Sequence, residues 1–194
     1  MRIRMTFAAV VIGICTMGAV AQTEATPSSE AVGTQADPAK AINIMLIIFE
    51  HDAMGVVKAM PAEKFGFAPT HATFAATQGE NFDGVRTFEQ QVAHVAQTNY
   101  YYFSTVSGMK PDIDIAKVNK LTGKDQVVAA LAGSFAFGHK AIATITPENA
   151  FTVIKGSDGL HTRATLAAFA VAHGYDHYGQ MVEYLRMNGL IPPS

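Results

Sequence analysis

Apolar positions recur at spacings of three and four along four stretches of this chain, the period of a helix with one buried face. The first stretch opens at Asp37 and Pro38, an N-cap followed by proline at the first helical position. It carries Ile44, Ile47, Ile48, His51, Met54 and Val57 to a stop at Met60 and Pro61. The second opens with Thr87 and Gln90 in capping-box spacing, carries Phe88, Val92, Val95, Tyr102 and Phe103, and closes at Ser107 and Gly108. A third begins at Thr122, with Asp125 three residues on, and runs through Val127, Val128, Leu131, Phe135, Ile142 and Ile145 to about Thr144. The fourth, capped by Thr162, places Leu166, Phe169, Ala170, His173, His177, Met181, Tyr184 and Leu185 on one stripe and ends at Asn188 and Gly189. Residues 151–154 have strand character, but no second segment offers a partner. Four amphipathic helices and no sheet predict an all-α four-helix bundle over residues 37–194.

The segment ahead of the bundle has a different composition. Arg2 and Arg4 precede an apolar run from Thr6 to Val20, and Ala19 to Ala21 matches a small-residue cleavage site. Residues 1–21 therefore read as a secretory signal peptide, too short in its apolar run for a spanning helix and with no second apolar segment behind it. Residues 22–36, rich in Thr, Ser, Ala and Glu, have no apolar period and read as a disordered tether. The expected product is exported, without stable membrane insertion after cleavage near Ala21.

Cleavage there changes the chemistry. Removing Arg2 and Arg4 from 14 basic residues leaves 12 against 16 acidic ones, a formal charge of −4. No clustered Lys or Arg offers a nucleic-acid surface. Cys15, the one cysteine, leaves with the leader, so disulfides and a thiol nucleophile are excluded from the product. A metal ion must then be held by histidine, carboxylate and water.

His173 and His177 supply the candidate for such a site. Four residues is about one helical turn, so both imidazoles leave the same face of the fourth helix, and that face is the apolar stripe. Two neutral nitrogen donors on a rigid helix are half of a metal site. The competing reading is a pair of core histidines satisfied by neighbouring hydroxyls or carbonyls. His51, His94 and His139 are the helical candidates for a third ligand, while His71 and His161 fall in loops. Asp176, Tyr178, Gln180 and Arg186 lie within reach in sequence, as a flank carboxylate or ligand support.

The string from His173 to Gln180, continued through Arg186 to Pro193, resembles the C-terminal helix of the DinB-like (DinB/YfiT) family. Residues Arg86 to Gln97 resemble that family's second helix, and Pro61 to Pro69 its segment after the first. The resemblance implies an up-down-down-up bundle carrying three histidines around a divalent metal, zinc or nickel. By position those ligands are His94, His173 and His177, with His51 as the substitute for His94. Homodimers are expected on the same ground and from the apolar helix surfaces.

Three histidines leave a coordination position open to water or substrate, the layout of a catalytic centre. The implied activity is a metal-dependent hydrolase or transferase, including thiol transfer, acting on a small molecule. The alternative is a non-catalytic metal-binding or stress-associated envelope protein. A peptidase is excluded: Asp176 stands where a His-x-x-Glu-His motif needs glutamate, and no acidic residue follows Glu183 to complete the ligands.

Overall fold

The structure, a computed structural model, describes residues 31–74, 79, 81–155 and 162–193. The segment expected as a signal peptide and most of the expected tether lie outside the described residues. The described residues from Gln35 onward form one compact unit. Among the described residues all extended secondary structure is helical: α1 (Pro38–Ala59), α2 (Phe88–Ser107), α3 (Ile115–Val118), α4 (Lys124–Ile142) and α5 (Arg163–Met187). No helix in that set is long and apolar enough to cross a membrane.

Most helix ends are made by the residues that signal them. The Asp37 side chain accepts from Lys40 N, and Pro38 fills the first turn of α1. Thr87 and Gln90 close a reciprocal capping box on α2, and Gly108 ends that helix in the left-handed region at φ 76°. Thr162 and Thr165 form the corresponding box on α5. The start of α4 departs from expectation. Its N-cap is Gly123, not Thr122, and no side chain caps it. At φ 83° Gly123 makes a turn that a residue with a Cβ resists, and its N–H is taken by the Glu89 carboxylate.

Each long helix packs against two others. α2 lies between α4 and α5, and α1 closes the bundle against the same pair. Matching contacts give the relative senses. Asn99 meets Ser134 and Phe103 meets Gly138, so α2 and α4 run in the same direction. Asn43 meets His139 whereas Met60, just past α1, meets Lys124, so α1 opposes α4. Pairs Gln91–Gln180 and Thr98–His173 set α2 against α5. The four-residue α3, absent from the sequence expectation, packs on α2, where Gln97 Nε2 donates to Ile115 O over 3.1 Å.

The core is built from Leu46 and Phe49 of α1, Phe88 and Phe103 of α2, Leu131 and Phe135 of α4, and Leu166, Met181 and Leu185 of α5, all inaccessible to solvent. Each such side chain contributes roughly 1.5–3 kcal/mol by burial. On α1 the buried residues are Ile42, Leu46, Phe49, Ala53, Val56 and, as expected, Val57. Ile44, Ile47 and Ile48, expected inside, are about half exposed, and His51 is exposed. This helix is apolar on nearly every side, and its phase is set by α4 and α5 rather than by its own periodicity. Residues 151–154 form no strand: Val153 makes one isolated bridge to Thr162.

Candidate metal centre

The antiparallel register of α2 on α5 assembles the histidines. Gln91 faces Gln180, Thr98 faces His173 and Tyr102 faces Phe169. Between the first two of these rungs His94 meets both histidines of α5. Its ring centroid lies 4.7 Å from that of His177 and 5.3 Å from that of His173, and the two α5 rings are 4.7 Å apart. One nitrogen from each of the three lies within 4.8 Å of the others.

That triangle fits a metal ion. Nitrogens no more than 4.8 Å apart can be equidistant from a centre at about 2.8 Å, so each moves inward by about 0.7 Å to reach the ~2.1 Å of a zinc–imidazole bond. Small side-chain rotations supply that. The fold thus brings His94, His173 and His177 together, whereas the substitute His51 stays on the exposed side of α1. His139 is held elsewhere, with Nε2 at 2.8 Å from Glu50 Oε2 and Nδ1 at 2.6 Å from Asn43 Oδ1. His71 sits in a short 3-10 turn with its ring 6.3 Å from that of Phe82, and His161 lies outside the described residues.

The surroundings keep His94 and His177 neutral at pH 7. Burial is the main cause that lowers His94 to a pKa of about 4, helped by the positive charge of Arg86 and then by the other two histidines. Burial likewise takes His177 to about 4, with His173 and Arg86 lowering it and Asp176 opposing. A neutral imidazole is the form that ligates a metal, so protons do not compete for these two rings at pH 7. Arg86 is placed by its backbone, whose carbonyl accepts from Tyr184 Oη at 3.0 Å.

Support comes from side chains that carry no motif. Gln91 of α2 is 2% exposed, and its Oε1 lies 2.7 Å from His177 Nδ1. Its Nε2 donates to Gln180 Oε1 over 2.7 Å, and Gln180 Nε2 reaches Asp176 Oδ2 at 3.3 Å. Gln180 thus contacts the facing helix and Asp176 stays exposed on the flank. Thr98 Oγ1 lies 3.4 Å from His173 Nδ1 and bonds back to the carbonyls of His94 and Val95. Tyr102 and Phe169 close the other side, with rings 5.7 and 6.2 Å from His173. Tyr178 packs on Tyr175, and Arg186 pairs with Glu183 on the exposed surface. Gln91 and Thr98 were missed by motif reasoning. The available signal was position, since both stand one turn from His94 and so share its face.

The set of three imidazoles, with no carboxylate or thiolate among them, suits zinc, nickel, copper and iron alike. No curated protein matches the chain. A model of the DinB superfamily matches residues 45–181, which span the four long helices apart from the ends of α1 and α5 and include all three histidines. The chain belongs to the DinB superfamily.

Proposed function

We propose that this is an exported divalent-metal-binding protein that works as a metal-dependent hydrolase or transferase on a small molecule. The observation that carries the reading is the convergence of His94, His173 and His177, whose nitrogens lie within 4.8 Å of one another across α2 and α5. Three protein ligands leave room for water or substrate on the ion. Zinc or nickel is the metal proposed. Bound there, it would act as a Lewis acid and lower the pKa of a coordinated water.

The chain's own residues would do the rest. His94 and His177, neutral at pH 7, hold the ion without first releasing protons. Tyr102 and Phe169 present an aromatic wall against His173. Arg86 adds positive charge near His94 and His177, which favours an anionic group on the substrate. Export is supported by the basic Arg2 and Arg4, the apolar run that follows and the small residues at 19–21.

The test is metal analysis by mass spectrometry of residues 22–194, purified without a histidine tag. One divalent ion per chain, lost in His94→Ala, supports the centre and opens a screen of hydrolase and thiol-transfer substrates. A metal-free protein that also refuses added zinc and nickel overturns the reading.

A further inference from the structure

We propose that Gln91 is a positioning residue that commits His177 to its Nδ1–H tautomer, taking its own orientation from Gln180 and Asp176. The consequence is that Nε2 of His177 is the nitrogen left to ligate. The relevance to metal uptake rests on the centre proposed above, whereas the tautomer is a property of the metal-free protein.

The direction of the relay follows from what each group is able to donate. A carboxylate only accepts, so Asp176 Oδ2 at 3.3 Å takes a hydrogen from Gln180 Nε2. That turns Gln180 Oε1 toward α2, where it accepts from Gln91 Nε2 at 2.7 Å. Gln91 Oε1 is then the atom facing His177 Nδ1 at 2.7 Å, and an amide oxygen only accepts. The hydrogen must therefore sit on Nδ1, and the lone pair on Nε2. Turning Gln91 over sets two oxygens against each other at 2.7 Å; turning Gln180 as well moves the conflict to the Asp176 carboxylate. Gln91 is 2% exposed, so water does not relieve the first arrangement, and the second gives up the Gln180–Asp176 hydrogen bond on the exposed flank.

His173 is treated the same way by an independent group. Thr98 has one hydroxyl hydrogen, and the carbonyls of His94 and Val95, at 2.9 and 3.1 Å, compete for it. Toward His173 Nδ1 the Thr98 oxygen offers a lone pair, so that nitrogen also carries the proton. Both α5 histidines thus present the same nitrogen from one face of the helix. Hydrogen bonds to the second ring nitrogen commonly fix the orientation of ligating histidines.

The experiment reads the tautomer directly. Metal-free protein labelled with 15N is examined at pH 8 by long-range proton–nitrogen correlation, with His177 signals assigned by their loss in His177→Asn. The expected wild-type state is Nδ1 protonated and Nε2 bare. Gln91→Met is expected to release the ring toward the Nε2–H form and to weaken zinc binding 10- to 100-fold in a chelator competition. Gln91→Glu, which keeps an acceptor toward His177 Nδ1, is expected to retain the tautomer, with Gln180 turning its Nε2 toward the new carboxylate. Should Gln91→Met fail to fold, Gln180→Leu tests the same relay at a less buried position, with a mixture of tautomers expected at His177. An Nε2–H tautomer in the wild-type protein overturns the proposal, as does a folded Gln91→Met or Gln180→Leu whose His177 tautomer is unchanged. Wild-type protein that shows the Nδ1–H form but takes up no zinc or nickel upholds the relay and overturns the metal reading.

Discussion

Gly174 of α5 faces the ring of Phe49 on α1 with no room for a side chain: a Cβ there would overlap the edge of that ring. Phe49 has nowhere to go. It is fully buried, with its centroid 5.3 Å from Phe135 and 5.0 Å from Tyr175. The absence of a side chain at Gly174 thus sets how closely α5 approaches α1, one residue after the ligand His173.

The overlap of such a Cβ with the Phe49 ring puts the overpacking cost of Gly174→Ala at the upper end of about 1–3 kcal/mol. The gain of about 1 kcal/mol in helix propensity of alanine over glycine leaves a net loss of about 2 kcal/mol. A lower urea midpoint at unchanged m-value is the expected result. A raised midpoint would mean that the helices separate freely at this crossing.

Neighbouring residues on α1 are expected to behave in opposite ways. Phe49→Ala removes a fully buried ring and should cost about 3–5 kcal/mol. Ile48→Glu lies where the side chain is half exposed, and its effect should stay within about 0.5 kcal/mol. Thermal melts of the two variants check the assignment of the buried face. A large loss in Ile48→Glu would show that this face is covered.

This contrast also marks what the sequence makes legible. The helices at 38–59, 88–107 and 163–187 are announced by Asp37, Thr87 and Thr162, whose side chains cap locally and need no tertiary context. The phase of α1 is different. Ile44, Ile47 and Ile48 repeat as regularly as Ile42, Leu46 and Phe49, and only the neighbouring helices decide which row is covered. The two histidines of α5 are legible from their spacing. His94 becomes their partner only through the register of α2 on α5, which a lone sequence does not carry. Gln91 and Thr98 are less visible still, because an amide and a hydroxyl acquire their roles from the atoms placed opposite them.

The buried polar contact between α2 and α4 gives a further expectation. Asn99, 1% exposed, donates through Nδ2 to Ser134 Oγ at 3.1 Å, and Ser134 passes its hydrogen to Leu131 O at 2.7 Å. Ser134→Ala leaves the Asn99 amide short of an acceptor in a dry site, at a cost of about 1–3 kcal/mol. Replacing both, as Asn99→Leu with Ser134→Ala, should recover part of that loss. A double-mutant cycle in urea measures it, and simple additivity would show that the two groups act independently.

The pH dependence of the metal-free protein follows from the two depressed histidines. His94 and His177 titrate at about 4 in the folded chain, chiefly through burial, against about 6.5 in the unfolded one. Between those values the unfolded state binds more protons, so acid favours unfolding. The stabilising contribution of the neutral rings is fully present above pH 6.5 and declines as pH falls toward 4. Below that both states are protonated and the histidine contribution levels off. Urea midpoints measured from pH 7.5 to 3.5 should fall across this window. Carboxylates also titrate at its lower end, so the comparison is with His177→Gln, in which the fall between pH 6.5 and 5 should be shallower. Parallel curves for wild type and variant would show that His177 is free to protonate in the folded chain, and with that its readiness for a metal at neutral pH would lose its physical basis.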